Sequence, residues 1–98
     1  MSDNQDIINE LSSIIKKRKN SLPENSYVAK LFKKGKVKIA NKLGEEATET
    51  ITAFLAENKE DVAEEASDLI FHLMVLLEKT GISMNDVLKV LKKRMKND

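Results

Sequence analysis

The chain has 98 residues, 17 Lys/Arg against 16 Asp/Glu for a net charge of +1, 4% aromatics, three Gly, one Pro and no Cys. That length suits a single domain, residues 1–98, with a thin core, and the lack of Cys excludes disulfides, thiolate zinc sites and thiol nucleophiles. A composition led by Lys, Glu, Leu, Ala and Ile, and poor in turn and β-forming residues, points to an all-α protein.

The first helix is expected over about Asp3 to Lys19, where Ile7, Ile8, Leu11, Ile14 and Ile15 recur at helical spacing. Its basic end, Lys16-Lys17-Arg18-Lys19, suits the C-terminal dipole. A loop around Pro23 follows. Ser26 then caps a short helix from Tyr27 to Lys34, which Gly35 ends. A third helix spans roughly Lys36 to Glu57, with Ile39, Leu43, Ala47, Ile51 and Leu55 as its apolar face. Gly44 inside it suggests close helix packing or ligand approach, because a mid-helix Gly costs about 1 kcal/mol relative to Ala. The tight connection Asn58-Lys59-Glu60 makes the next helix, about Glu60 to Thr80, an antiparallel neighbour. Gly81 stops it, and Ser83-Met84-Asn85-Asp86 reads as a capping box for a last helix carrying Val87, Leu88, Val90 and Leu91. Met74, Met84 and Met95 read as packing residues. The expected architecture is an antiparallel bundle of four to five helices, completed by dimerisation because so small a unit leaves apolar surface uncovered.

The start of the chain, Met1-Ser2-Asp3-Asn4-Gln5-Asp6, is polar and acidic, unlike a signal peptide. The longest apolar stretch, Leu69 to Leu77, is too short to span a bilayer. These features lead to the expectation of a cytoplasmic protein with no membrane partner.

Charge is segregated along the chain. Residues 1–42 carry +6, residues 43–78 carry −9 and residues 79–98 carry +4. Cationic ends offer sites for phosphates and an acidic middle offers one for a cation, unless the segments merely attract one another. Within the acidic middle, Glu46 with Glu49 and Glu65 with Asp68 are carboxylate pairs three residues apart, hence neighbours on a helix face. None has a basic residue four positions on, and Lys42 is the one basic group on the Glu46 face. On a helical wheel these acids flank the apolar stripes. Two antiparallel helices therefore turn four carboxylates toward each other, an arrangement that demands protons or a cation. An all-oxygen set suits Mg²⁺, with Mn²⁺ as the alternative. The opposing reading of such pairs is a solvated face.

The segments Ser26-Tyr27-Val28-Ala29-Lys30-Leu31, Lys34-Gly35, Gly44-Glu45-Glu46-Ala47-Thr48-Glu49 and Glu65-Ala66-Ser67-Asp68-Leu69-Ile70-Phe71-His72-Leu73 resemble the phosphoribosyl-ATP pyrophosphatase family of histidine biosynthesis, within the all-α MazG-like NTP pyrophosphatases. The likeness runs from about Ser26 to Arg94, and Phe71 stands where that family usually has Tyr. The resemblance implies hydrolysis of 1-(5-phosphoribosyl)-ATP to 1-(5-phosphoribosyl)-AMP and pyrophosphate, a Mg²⁺ requirement, a cytoplasmic location and a homodimer or larger assembly. Carried onto this sequence, it makes Glu46, Glu49, Glu65 and Asp68 metal ligands, with Glu45, Glu46 and Glu49 as the catalytic set. Glu45, about 100° away from Glu46 on the wheel, either orients a water at the edge of the metal or is simply exposed. Lys30, Lys34, Lys38 and Lys42 are candidates for the substrate's phosphates, and His72 is either a substrate contact or a partly buried histidine bonded to a neighbouring helix. The runner-up function is a house-cleaning NTP or dNTP pyrophosphohydrolase. A non-enzymatic helical binding module is a third reading. A nucleic-acid partner is not expected, since the acidic middle would repel phosphates without a metal.

Overall fold

The computed structural model describes residues 6–97, so the first residues of the expected first helix lie outside the described part. Five helices follow in order: α1 Ile7–Ser21, α2 Tyr27–Lys34, α3 Lys36–Leu55, α4 Lys59–Thr80 and α5 Met84–Met95. No strand occurs among the described residues.

The helix ends follow from local chemistry. Leu22 takes a left-handed conformation (φ 49°) and returns its N–H to the Arg18 carbonyl, which carries α1 two residues past Lys19. The Ser26 hydroxyl accepts the Ala29 N–H at 3.1 Å and opens α2. Gly35 both ends α2 and begins α3, at φ 94° and ψ −172°. That region of backbone space is essentially restricted to Gly. Nothing lies within 4 Å of where a Cβ would be, so the constraint is torsional and not steric crowding. Gly35→Ala should therefore lower stability by about 1–3 kcal/mol, as read from urea denaturation.

α3 ends two residues earlier than the periodicity suggests. Glu57 adopts φ 59°, and Asn58 accepts the Asp61 N–H at 3.1 Å, starting α4 at Lys59. The short link folds α3 and α4 into an antiparallel pair, the most extensive helix contact in the molecule. Gly81 closes α4 in the left-handed region. The expected capping box is present. The Ser83 hydroxyl accepts from the Asp86 N–H at 3.1 Å, and the Asp86 carboxylate accepts from the Ser83 N–H at 3.0 Å. Ser83→Ala should cost about 1 kcal/mol. The bond from the Ser83 N–H also holds the Asp86 carboxyl below its ordinary value. Because the folded value is depressed, this contribution is present above the unfolded carboxyl's range and is lost as pH falls through the folded one. The wild type should thus lose more thermal stability than Asp86→Asn on acidification below about pH 4.

The core gathers Ile15 from α1, Val28 and Leu31 from α2, Ile39 from α3, and Met74 and Val75 from α4. Lys19 ties α1 to the end of α4, its ammonium donating to the Glu78 carbonyl at 3.0 Å. α1 and α2 thus cover only the half of the hairpin formed by the start of α3 and the end of α4. The other half protrudes. Ile51, Phe54 and Leu55 are 58%, 67% and 73% exposed, so the second half of the α3 apolar face is not buried within the chain. α5 buries no residue, and Leu88, Val90, Leu91 and Met95 remain exposed, so Met95 is not a packing residue within the chain. Gly44 likewise faces open space, not a packed helix.

Candidate metal centre and its surroundings

The acids sit just beyond the core, where the hairpin emerges from beneath α1 and α2. Two turns past Ile39 and one past Lys42, α3 presents Glu46 and then Glu49, and α4 faces them with Glu65. One carboxylate oxygen from each of Glu46, Glu49 and Glu65 lies within 4.8 Å of the others. Glu46 is only 7% exposed. Its Oε2 and the Oε2 of Glu65 are buried without a hydrogen-bond partner among the described residues.

Electrostatics follow from that crowding. Burial, then the nearby Glu49 and Asp68, hold the Glu46 carboxyl above its ordinary value. Sharing with Glu49, then burial and the charges of Glu46, Glu49 and Asp68, push the Glu65 carboxyl up to about 7. Such a set binds a proton readily, and for the same reason it would bind a hard cation. Two orphaned buried oxygens and an all-carboxylate donor set fit Mg²⁺ or Mn²⁺, whereas nothing in the set favours zinc.

The remaining acids differ. Asp68 is exposed and outside the three-oxygen group, though close enough for its charge to raise both Glu46 and Glu65. Glu45 points elsewhere: its Oε2 takes the Lys42 ammonium at 3.2 Å, while Glu46 Oε1 lies 4.0 Å from the same nitrogen. The bond to Glu45 holds Lys42 above its ordinary value.

The four lysines come together. Lys30 and Lys34 of α2 and Lys38 and Lys42 of α3 line one cavity of about 200 Å³ with Tyr27 and Leu31. Lys42 borders both this cavity and the acids. His72 is buried, and its ring is held at both nitrogens. Nδ1 lies 2.8 Å from the Asp68 carbonyl and Nε2 lies 3.0 Å from the Tyr27 hydroxyl. The bond to Tyr27 joins it to α2. Phe71 is half-buried, stacked on Tyr27 at 6.2 Å and edge-on to His72 at 5.0 Å.

Tyr27 is the site residue that sequence reasoning missed. Tyr27, Lys30, Leu31 and Lys34 share one face of α2 at helical spacing, a pattern that marks the face but not the bond from Tyr27 to His72.

The described residues form an all-α fold that sets a carboxylate trio beside a lysine-lined cavity, a pairing suited to a cation and phosphates. The phosphoribosyl-ATP pyrophosphohydrolase family model matches residues 8–95. A phosphoribosyl-ATP pyrophosphatase of Metallosphaera sedula is 50% identical over 91 residues, covering 93% of this chain and 98% of that one. A phosphoribosyl-ATP pyrophosphatase of Sulfolobus acidocaldarius is 47% identical over 96 residues, covering 98% and 99%. The histidine biosynthesis bifunctional protein HisIE of Thermotoga maritima is 47% identical over 87 residues, 89% of this chain but only 44% of that protein. The chain belongs to the phosphoribosyl-ATP pyrophosphohydrolase family, the pyrophosphatases of histidine biosynthesis. No helix among the described residues is long and apolar enough to cross a membrane.

Proposed function

We propose that the chain, acting as one domain over residues 1–98, hydrolyses 1-(5-phosphoribosyl)-ATP between its α- and β-phosphates. Water cleaves the anhydride between them, giving 1-(5-phosphoribosyl)-AMP and pyrophosphate. The observation that carries this reading is the trio Glu46, Glu49 and Glu65, with two buried unpartnered oxygens, beside a cavity lined by four lysines.

Glu46, Glu49 and Glu65 would hold Mg²⁺, or Mn²⁺, with Asp68 adding charge at the edge. When bound, the ion neutralises phosphate charge and makes water a better nucleophile. The chain's own groups do the rest. Glu49, the most exposed of the three, is placed to accept a proton from the attacking water. Lys42 brings a positive charge to the border between acids and cavity, and Glu45 keeps that ammonium oriented. Glu45 is thus a positioning residue for Lys42. The other lysines offer mobile positive charges to phosphate oxygens.

Ile51, Phe54 and Leu55 on the protruding half of α3, and Leu88, Val90, Leu91 and Met95 of α5, leave apolar side chains exposed. They support a homodimer in which a second copy covers the protruding half of the hairpin. Leu55→Glu, remote from the acids, should shift the wild-type assembly toward monomer in sedimentation velocity. The absence of a membrane-length helix among the described residues and the nucleotide substrate support a cytoplasmic setting.

The test is pyrophosphate release from phosphoribosyl-ATP with Mg²⁺ and with chelator. Turnover that needs the ion supports the proposal. Inertness toward phosphoribosyl-ATP with brisk turnover of a dNTP would replace it with the house-cleaning alternative.

A further inference from the structure

The lysine-lined cavity has an uneven chemistry. Four of its six lining residues are lysines, which only donate hydrogen bonds, and Leu31 supplies an apolar wall. Among the described residues lining it, Tyr27 contributes the one side-chain oxygen. A bare polyphosphate needs donors alone. A ligand that presents hydroxyl groups beside a phosphate also needs an acceptor.

The hydrogen bonds of His72 decide which role the Tyr27 oxygen plays. The Asp68 carbonyl can only accept, so the His72 Nδ1 at 2.8 Å must carry its hydrogen. In the neutral ring, Nε2 then has no hydrogen and must accept from the Tyr27 hydroxyl at 3.0 Å. With His72 neutral, the phenolic proton is committed inward, toward a buried partner. What Tyr27 turns toward the cavity is lone pairs. Phe71 stacked on the Tyr27 ring, and the edge-on contact between the Tyr27 and His72 rings, keep the phenol in that orientation.

We propose that this cavity binds the phosphoribosyl end of the substrate, a sugar phosphate, with Tyr27 accepting a hydrogen bond from a ribose hydroxyl and His72 acting as the residue that positions it. This deepens the reading given above and rests on it, because it assigns the triphosphate to the acids and the sugar phosphate to the lysines. Tyr27 then distinguishes phosphoribosyl-ATP from a simple nucleoside triphosphate, which has no second ribose phosphate to offer. His72 acts without touching the substrate.

Tyr27 is the sole Tyr in a chain that has no Trp, so its emission reports on the cavity directly, with no turnover required. Titrating ribose 5-phosphate into the full-length wild type should change that emission saturably, whereas inorganic pyrophosphate without metal should not. Against phosphoribosyl-ATP turnover, Tyr27→Phe should weaken competitive inhibition by ribose 5-phosphate roughly three- to tenfold, the worth of one hydrogen bond. Inhibition by pyrophosphate should stay within about twofold of wild type, and KM should rise while kcat is held. His72→Leu should reproduce the Tyr27→Phe pattern, and combining the two should add nothing further. His72→Gln, which returns an acceptor near the position of Nε2, should restore wild-type inhibition.

An emission spectrum blind to ribose 5-phosphate overturns the proposal. So does a Tyr27→Phe enzyme whose ribose 5-phosphate inhibition is unchanged, or whose pyrophosphate inhibition weakens equally, which would assign the cavity to the leaving group. If His72→Leu fails to fold, Tyr27→Phe, which keeps the ring contacts, still decides. Failure of the parent reading looks different: the wild type would not turn over phosphoribosyl-ATP at all, while the emission titration would still report whether a sugar phosphate binds.

Discussion

Glu65→Gln lowers turnover of phosphoribosyl-ATP roughly 10²–10³-fold, the loss expected when several kcal/mol of transition-state charge stabilisation disappear. The expectation follows from where Glu65 sits. It is the α4 member of the three-oxygen group and carries one of the two buried oxygens with no partner. Removing its charge weakens cation binding without enlarging or shrinking the side chain. The same substitution should leave the metal-free fold at least as stable as wild type, because it relieves the crowding with Glu49 and Glu46 that pushes the carboxyl up to about 7. Thermal melts give the matching signature. Mg²⁺ should raise the wild-type Tm progressively with its concentration and leave the variant nearly unmoved. A Glu65→Gln protein that melts higher and turns over substrate at the wild-type rate would make the acids a structural curiosity and remove the basis of the proposed chemistry.

Ile15→Ala is the largest stability loss expected from one truncation. Ile15 is 1% exposed and packs among Val28, Leu31, Ile39, Met74 and Val75. Truncations of this kind cost about 2–5 kcal/mol, through lost burial and the cavity left behind. A domain has only about 5–15 kcal/mol in total. For a chain of this size the drop in Tm is roughly 10–30 °C. Ile14→Ala, one residue away at 44% exposure, serves as the control and should change Tm by far less. Equal losses at both positions would mean that α1 is held by something other than the core described above.

The sequence marks the start of α2 well, because Ser26 has the side chain that a cap requires and Gly35 the freedom that the next corner requires. It also marks the acids. Like charges at helical spacing, next to apolar stripes and with Lys42 as the one lysine on their face, are costly unless something binds them. The exposure of Ile51 and Leu55 is not legible in the same way. Periodicity identifies which side of a helix is apolar, but it says nothing about whether another element lies over it. Gly44 was ambiguous for a related reason, since a missing side chain marks room for a neighbour without identifying one. Tyr27 escaped because its partner is His72, 45 residues later. No local pattern encodes a hydrogen bond across such a separation; it exists only once α2 lies against α4.

The corner at Gly35 has a consequence for how the lysines could have been acquired. Lys30 and Lys34 lie before it and Lys38 and Lys42 after it, yet all four reach one cavity. With a single residue joining the two helices, there is no slack to take up an added or deleted position. One extra residue within the start of α3 would swing Lys38 and Lys42 by about 100° relative to α2. Relatives that keep this cavity should therefore tolerate substitutions on either side of the corner far better than changes in length across it.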